Sequence, residues 1–358
     1  MKKLNLAIIG QGRSGKDIHC KYLAGPENNL YNIKYVVEYD EYRRNLSLEL
    51  YKGCEVLSNY TELFGKKDVD IVVNASYSED HYPITKDLLE HGFNVMVEKP
   101  FGRNVYECAD LIKTAKDNGV KLAVFQQSFF APFYKHAYDI LKSGKIGDVK
   151  QVNIRYNGLA RRWDWQTLLK HVAGSTFNTG PHPIGMGLGF LDFDKDTRVI
   201  YTKLDNCLTS GDADDYSKIL FTAPNKPLID IEIHSIDAYS TYNLKIMGTK
   251  GTFMCNVGSW YKMKYIVDGE NPVRPVIEEF LADENGNPAY CSEKLITHEE
   301  EGVYEGSAFD IGTRKLYEDL YKYLTGEKDS LYVTPEHAMA VISVIEQAHA
   351  QNPLERKF

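Results

Sequence analysis

The six cysteines, Cys20, Cys54, Cys108, Cys207, Cys255 and Cys291, are scattered along the chain with no close pair among them. That spacing excludes both a disulfide framework and a zinc site, and it predicts free thiols in a reducing compartment. No stretch approaches the roughly 18 consecutive apolar residues of a membrane span. No run of Lys and Arg offsets the net charge of -8, which argues against nucleic acid as a partner. Internal repeats and low-complexity segments are absent. Leu4-Asn5-Leu6-Ala7-Ile8-Ile9 follows two lysines as a signal peptide would, but it is short and meets Gly10, Gln11 and Arg13 with no small-residue cleavage site. It reads as a buried strand. These absences together predict a cytoplasmic protein that touches neither membrane nor nucleic acid.

Tyrosine is plentiful, with 25 in 358 residues, and so are features of a soluble globular chain: 43% hydrophobic and 26% charged residues. The length exceeds what one core usually organises, so two domains are expected. Up to residue 125, short apolar runs (Leu4–Ile9, Ile33–Val37, Ile71–Val73, Val95–Val97, Leu122–Phe125) alternate with helix-period segments such as Glu107–Asp117, which ends on Asn118-Gly119. This rhythm predicts βαβ units and a doubly wound parallel sheet. After a further helix, about Pro132–Lys142, strand patterns follow one another: Val149–Tyr156, Val199–Lys203, Ser217–Phe221, Ile229–His234, Asn243–Ile246 and Tyr261–Ile266. Gly248-Thr249-Lys250-Gly251 reads as a hairpin turn. Helices near Phe309–Leu324 and Glu336–Ala350 close the chain, the second capped by Thr334-Pro335. The predicted class is α/β: a Rossmann dinucleotide-binding domain over 1–127, and an α+β substrate-binding and oligomerisation domain over 128–358 with an open, largely antiparallel sheet.

Gly10-Gln11-Gly12-Arg13-Ser14-Gly15 follows a strand and opens a helix, the context in which a G-x-G-x-x-G turn holds a pyrophosphate on backbone N–H groups. Glu38 ends the second strand, 23 residues beyond Gly15. A carboxylate there accepts both ribose hydroxyls and repels a 2′-phosphate, favouring NAD over NADP. Arg43 and Arg44 lie just beyond; they read as solvated helix residues or as phosphate ligands. In Val95-Met96-Val97-Glu98-Lys99-Pro100 a buried strand ends abruptly on a charged pair, at the edge where open α/β sheets bind ligands. Lys99 there serves either chemistry or a surface ion pair with Glu98.

Together these features resemble the glucose–fructose oxidoreductase/inositol dehydrogenase (Gfo/Idh/MocA) family over essentially the whole chain. The resemblance implies alcohol–ketone redox chemistry with NAD(P), commonly on sugars, polyols or their derivatives. It makes Lys99 the residue that touches the reacting oxygen. The family's second-domain motif, Asp-x-Gly-x-His-x-x-Asp, falls on Asn178-Thr179-Gly180-Pro181-His182-Pro183-Ile184-Gly185, so His182 becomes the general base while Asn178 and Gly185 replace the two acids. Loss of the carboxylate predicts a His182 pKa below that of relatives retaining the Asp, and a direct contact of Asn178 with a substrate hydroxyl. Ser76 and His81 follow the strand Ile71–Val73 where the family lines the nicotinamide ribose, although His81 equally suits a helix cap. Glu98 and Gln127 complete the cofactor side. The arginines that follow the Gln127 position in many relatives are absent here.

Arg161-Arg162-Trp163-Asp164-Trp165-Gln166 is the most individual stretch. Trp faces stack on sugar rings and Arg binds hydroxyls, which makes Arg161, Trp163 and Trp165 substrate candidates, together with Tyr156 at the end of the strand leading into the loop. The same residue types suit a subunit contact. The expected activity is NAD(P)-dependent oxidation of a secondary alcohol of a sugar, polyol or glycoside, with glycoside oxidation at ring carbon 3 as one form. The alternatives are an NAD-dependent glycosidase that oxidises the sugar transiently, and a non-catalytic dinucleotide sensor. No metal is expected, and the open second sheet predicts a homodimer or homotetramer.

Overall fold

The computed structural model describes residues 2–282, 285–290 and 292–358; Cys291 lies outside the described residues. Strands β1 (Leu4–Ile9), β2 (Tyr31–Val37), β3 (Glu55–Leu57), β4 (Ile71–Asn74), β5 (Val95–Val97) and β6 (Leu122–Val124) form one parallel sheet in the order β3-β2-β1-β4-β5-β6. Helices cover both faces, which is why these strands read as unbroken apolar runs. The strand order reverses between β1 and β4, and the carboxyl ends of both open onto the same crevice. Helix Val105–Asp117 starts just before its predicted position because Asn104 caps it, accepting from the Glu107 N–H at 2.9 Å.

The second sheet comprises β7 (Val149–Asn157), β8 (Arg198–Asp205), β9 (Tyr216–Thr222), β10 (Leu228–His234), β11 (Leu244–Gly248), β12 (Gly251–Cys255), β13 (Trp260–Tyr265) and β14 (His298–Val303). Their order is β14-β13-β12-β11-β7-β10-β9-β8. All neighbours run antiparallel except β7 and β10, so the sheet is mixed. The predicted hairpin is present, with Gly248 paired to Gly251. Strand β14 has no apolar signal; its glutamates face lysines on β13, and Lys264–Glu299 and Lys262–Glu301 pair across the ladder. Pattern-based reading passes over such an edge strand. Helices Pro132–Ser143, Pro181–Phe190 and Pro335–Gln351 pack on or beside one face. The other carries charge, with Lys218 bridging Asp230 and Glu232, and Arg155 joining Glu232.

Helix Ala308–Thr325 belongs to the second stretch of sequence but packs in the first core. Leu316, Tyr317, Leu320 and Tyr321 share a cluster with Leu6, Ile8, Val36 and Val73. A division at residue 127 therefore omits a helix that shields the parallel sheet from water.

Candidate active site

The glycine turn is built so that only glycine fits at two places. Gly10 has φ +90°, and a Cβ there would stand 2.5 Å from the Ala75 carbonyl oxygen. A Cβ on Gly15 would fall 1.9 Å from the carbonyl of Gly10. At Gly12 nothing lies within 4 Å, so that side of the turn is open. Glu38 sits at its rim, buried, with Oε2 accepting the Gln11 N–H at 2.6 Å and Oε1 the Asp40 N–H at 3.0 Å. The Gln11 side chain turns inward to the Gly10 carbonyl at 3.1 Å. Arg13 is exposed where the helix begins, and Ser14 stands beside it at intermediate exposure. Arg44 donates to the carbonyls of Glu38 and Tyr39 at 2.9 and 2.6 Å, and Arg43 lies 4.0 Å from Glu38. An open glycine cradle beside a carboxylate at the helix start fits the pyrophosphate and ribose of a dinucleotide.

Lys99 leaves β5 at the crevice, and its Nζ donates to the Asn178 carbonyl at 2.8 Å. Burial lowers its pKa; the Glu98 carboxylate opposes that, and Arg13 and Arg162 reinforce it. His182, in the first turn of helix Pro181–Phe190, has Nδ1 3.4 Å from Ser128 Oγ. Burial, aided by the Lys99 charge, lowers its pKa to about 3, so the ring is neutral. Gly185 shows why no acid stands at the second position: a Cβ there meets Gln126 Oε1 and the Phe129 ring at 3.1 Å.

The Asn178 side chain accepts from Gln166 Nε2 at 3.2 Å. Around it lies a cavity of about 100 Å³ lined by Tyr156, Arg162, Gln166, Ser175, Thr179 and His234, among others. Arg162 forks onto Asp164 with contacts of 3.1 and 2.6 Å. The structure thus brings Tyr156 and Asn178 together but not the rest of the expected substrate set. Trp163 is 86% exposed and Arg161 is exposed as well, so neither lines this cavity. Trp165 stands edge-on to Tyr77, ring centroids 5.1 Å apart, joining the aromatic loop to the loop after β4. The loop has no periodicity, so sequence offered no means of choosing Arg162 over its neighbour.

His81 is buried between two carbonyls, Pro100 at 2.8 Å from Nδ1 and Ser76 at 3.2 Å from Nε2. It ties the loop after β4 to the Glu98-Lys99-Pro100 turn, a contact unlike either a helix cap or a ligand group. Ser76 donates its N–H to Asn74 Oδ1 at 3.2 Å. Gln127 is buried after β6, its Oε1 without a protein partner among the described residues. Glu98 is buried against His19, a residue the sequence did not single out. Its partner on the other side, Tyr317, lies 298 positions further along, beyond the reach of any local signal.

The chain matches the family model described as "Oxidoreductase family, NAD-binding Rossmann fold" over residues 4–126, and that of the GFO/IDH/MocA C-terminal domain over residues 134–254. It is 23% identical to the uncharacterized oxidoreductase YhhX of Escherichia coli, covering 97% of this chain and 96% of that one. Among solved structures, GenD2 from gentamicin A biosynthesis in complex with NAD superposes with a TM-score of 0.77 at 18% identity, covering 100% of this chain and 97% of that one. KijD10, a 3-ketoreductase from Actinomadura kijaniata in complex with TDP-benzene and NADP, gives 0.73 at 16% identity, covering 97% of each chain. The first matched model spans the open glycine cradle and the Lys99 turn and the second spans the His182 helix, and the chain belongs to the Gfo/Idh/MocA family of NAD(P)-binding oxidoreductases.

Proposed function

We propose that the protein oxidises a secondary alcohol of a sugar, polyol or glycoside to a ketone, with NAD as cofactor. The observation that carries this reading is the convergence of Lys99 and a neutral His182 at the carboxyl edge of the parallel sheet, beside the cavity that Arg162 and Asn178 line. The dinucleotide, when bound, supplies the hydride acceptor. His182 accepts the proton of the substrate hydroxyl, and Ser128 at Nδ1 orients the ring so that Nε2 faces the substrate. The C–O bond becomes a carbonyl as the C–H electron pair leaves, and Lys99 donates a hydrogen bond to that oxygen. Holding the reacting carbon in place contributes most of the rate, as in cofactor enzymes generally. GenD2 was solved with NAD and KijD10 with NADP, so the fold serves both; Glu38 supports NAD here. The open second sheet, which does not close on itself, supports a homodimer or homotetramer.

The test is turnover. With a panel of sugars, inositols and glycosides, absorbance at 340 nm rises for the substrate, and Lys99→Met lowers kcat by roughly 10²–10⁴-fold with NADH binding retained. Release of free sugar without NADH accumulation would show a glycosidase instead. NADH binding with no turnover across the panel would show a sensor.

A further inference from the structure

Beneath the Lys99 turn runs a buried chain of hydrogen bonds to which the proposed reaction gives no role. His19 is wholly buried, with Nδ1 2.8 Å from the Tyr317 hydroxyl and Nε2 3.1 Å from Glu98 Oε1. Glu98, 2% exposed, accepts the Lys99 N–H on its other oxygen at 3.0 Å. Tyr317 is fixed in turn: its carbonyl accepts from the Tyr31 hydroxyl at 2.9 Å, and its ring stacks on Tyr22 at 5.1 Å. A π turn over Gly15–Cys20, where the Lys21 N–H reaches back to the Lys16 carbonyl, carries His19 into this position.

The chemistry sets a direction along the chain. When the Tyr317 O–H donates to Nδ1, the His19 proton sits on Nε2, which then donates to the Glu98 carboxylate. The other tautomer would aim a lone pair at the carboxylate. Five ionisable groups act on Lys99: Glu98 on its own turn, Arg13 from the glycine turn, Arg162 from the loop after β7, His182 from helix Pro181–Phe190, and His81 at the start of the helix after β4. Glu98 is the one anion of the five, and His19 and His81 act on it in turn. Burial alone would raise the Glu98 pKa, but the His19 hydrogen bond and the nearby charges hold it down to about 2.

We propose that Tyr317 and His19 are positioning residues that hold the Glu98 carboxylate on the Lys99 main-chain N–H, so that the anion beside Lys99 stays fixed and the lysine side chain stays aimed at the reacting oxygen. Helix Ala308–Thr325 thereby acts on a turn to which it contributes no ligand group. The inference rests on the role given to Lys99 above.

The experiment follows Lys99 itself in protein without cofactor or substrate. Lysines are labelled with ¹³C at Cε, the Lys99 signal is assigned by its loss in Lys99→Arg, and its titration is compared across variants. His19→Leu lowers the Lys99 midpoint by about one pH unit, a tenfold loss of proton affinity. Tyr317→Phe, which keeps the ring packing, lowers it by less, and His19→Gln, which can both accept from Tyr317 and donate to Glu98, restores it. The alkaline limb of kcat moves with the midpoint. An unmoved midpoint in folded Tyr317→Phe and His19→Leu would overturn the proposal, even where melting temperature or kcat falls, because that is the signature of a structural role alone. Should His19→Leu fail to fold, Tyr317→Phe decides the matter. Wild-type turnover in Lys99→Met would instead overturn the role of Lys99, a result independent of the titration.

Discussion

Lys99 Nζ donates to the main-chain carbonyl of Asn178 across 2.8 Å, joining residues 79 positions apart. The bond connects the carboxyl edge of the first sheet to the segment that leads into the His182 helix. Lys99 holds the main-chain carbonyl while the Asn178 side-chain Oδ1 accepts from Gln166 Nε2, and Arg162 and Gln166 of the aromatic loop line the same cavity.

Arg162, not the exposed tryptophan, should govern substrate binding. Arg162→Ala raises KM on the order of tenfold, the effect of losing one charge-assisted hydrogen bond. Trp163→Ala leaves KM unchanged, since the ring is 86% exposed. Steady-state kinetics on the active substrate check both. A large KM effect at Trp163 would assign that residue to the site through a second subunit.

His182 makes stability depend on pH. Its folded pKa of about 3 lies below the 6.5 of the free side chain, so between those values the unfolded chain binds more protons and stability falls as pH falls. Above pH 6.5 the group contributes no slope. Between pH 7 and pH 5 wild type should lose about 2 kcal/mol more than His182→Gln, read from denaturant unfolding at each pH. Equal losses in the two proteins would show that the ring is not held neutral.

Glu38 should set cofactor choice. Glu38→Ala removes the acceptor for the ribose hydroxyls and the repulsion of a 2′-phosphate, shifting the NADH to NADPH affinity ratio towards NADPH by at least about tenfold. Fluorescence titration of both nucleotides measures it. The glycine turn should loosen too, because the Gln11 N–H loses its 2.6 Å acceptor.

Restoring the acid at position 185 should harm this protein. In Gly185→Asp a buried carboxylate would press on Gln126 and the Phe129 ring, destabilising the fold by roughly 2–4 kcal/mol. Gly185→Ala should do less damage, on the order of 1–3 kcal/mol, from crowding alone. Thermal unfolding of the two variants separates charge burial from size.

Local chemistry determined much of this molecule. The parallel sheet was legible because strands buried on both faces must be continuously apolar, and helices between them must repeat at their own period. The glycine turn was legible because a positive φ at Gly10 and close approach at Gly15 admit no other residue. Lys99 and His182 became candidates through a charged strand end and a family motif. What sequence could not decide were relationships between distant segments: that Tyr317 reaches His19, that helix Ala308–Thr325 returns to the first core, and that Arg162 and not Arg161 lines the cavity. Nor could it place β14, whose charges pair only once β13 lies beside it. Periodicity reports the face a residue presents to its own element. Which residue waits on the other side is settled only when packing brings the two together.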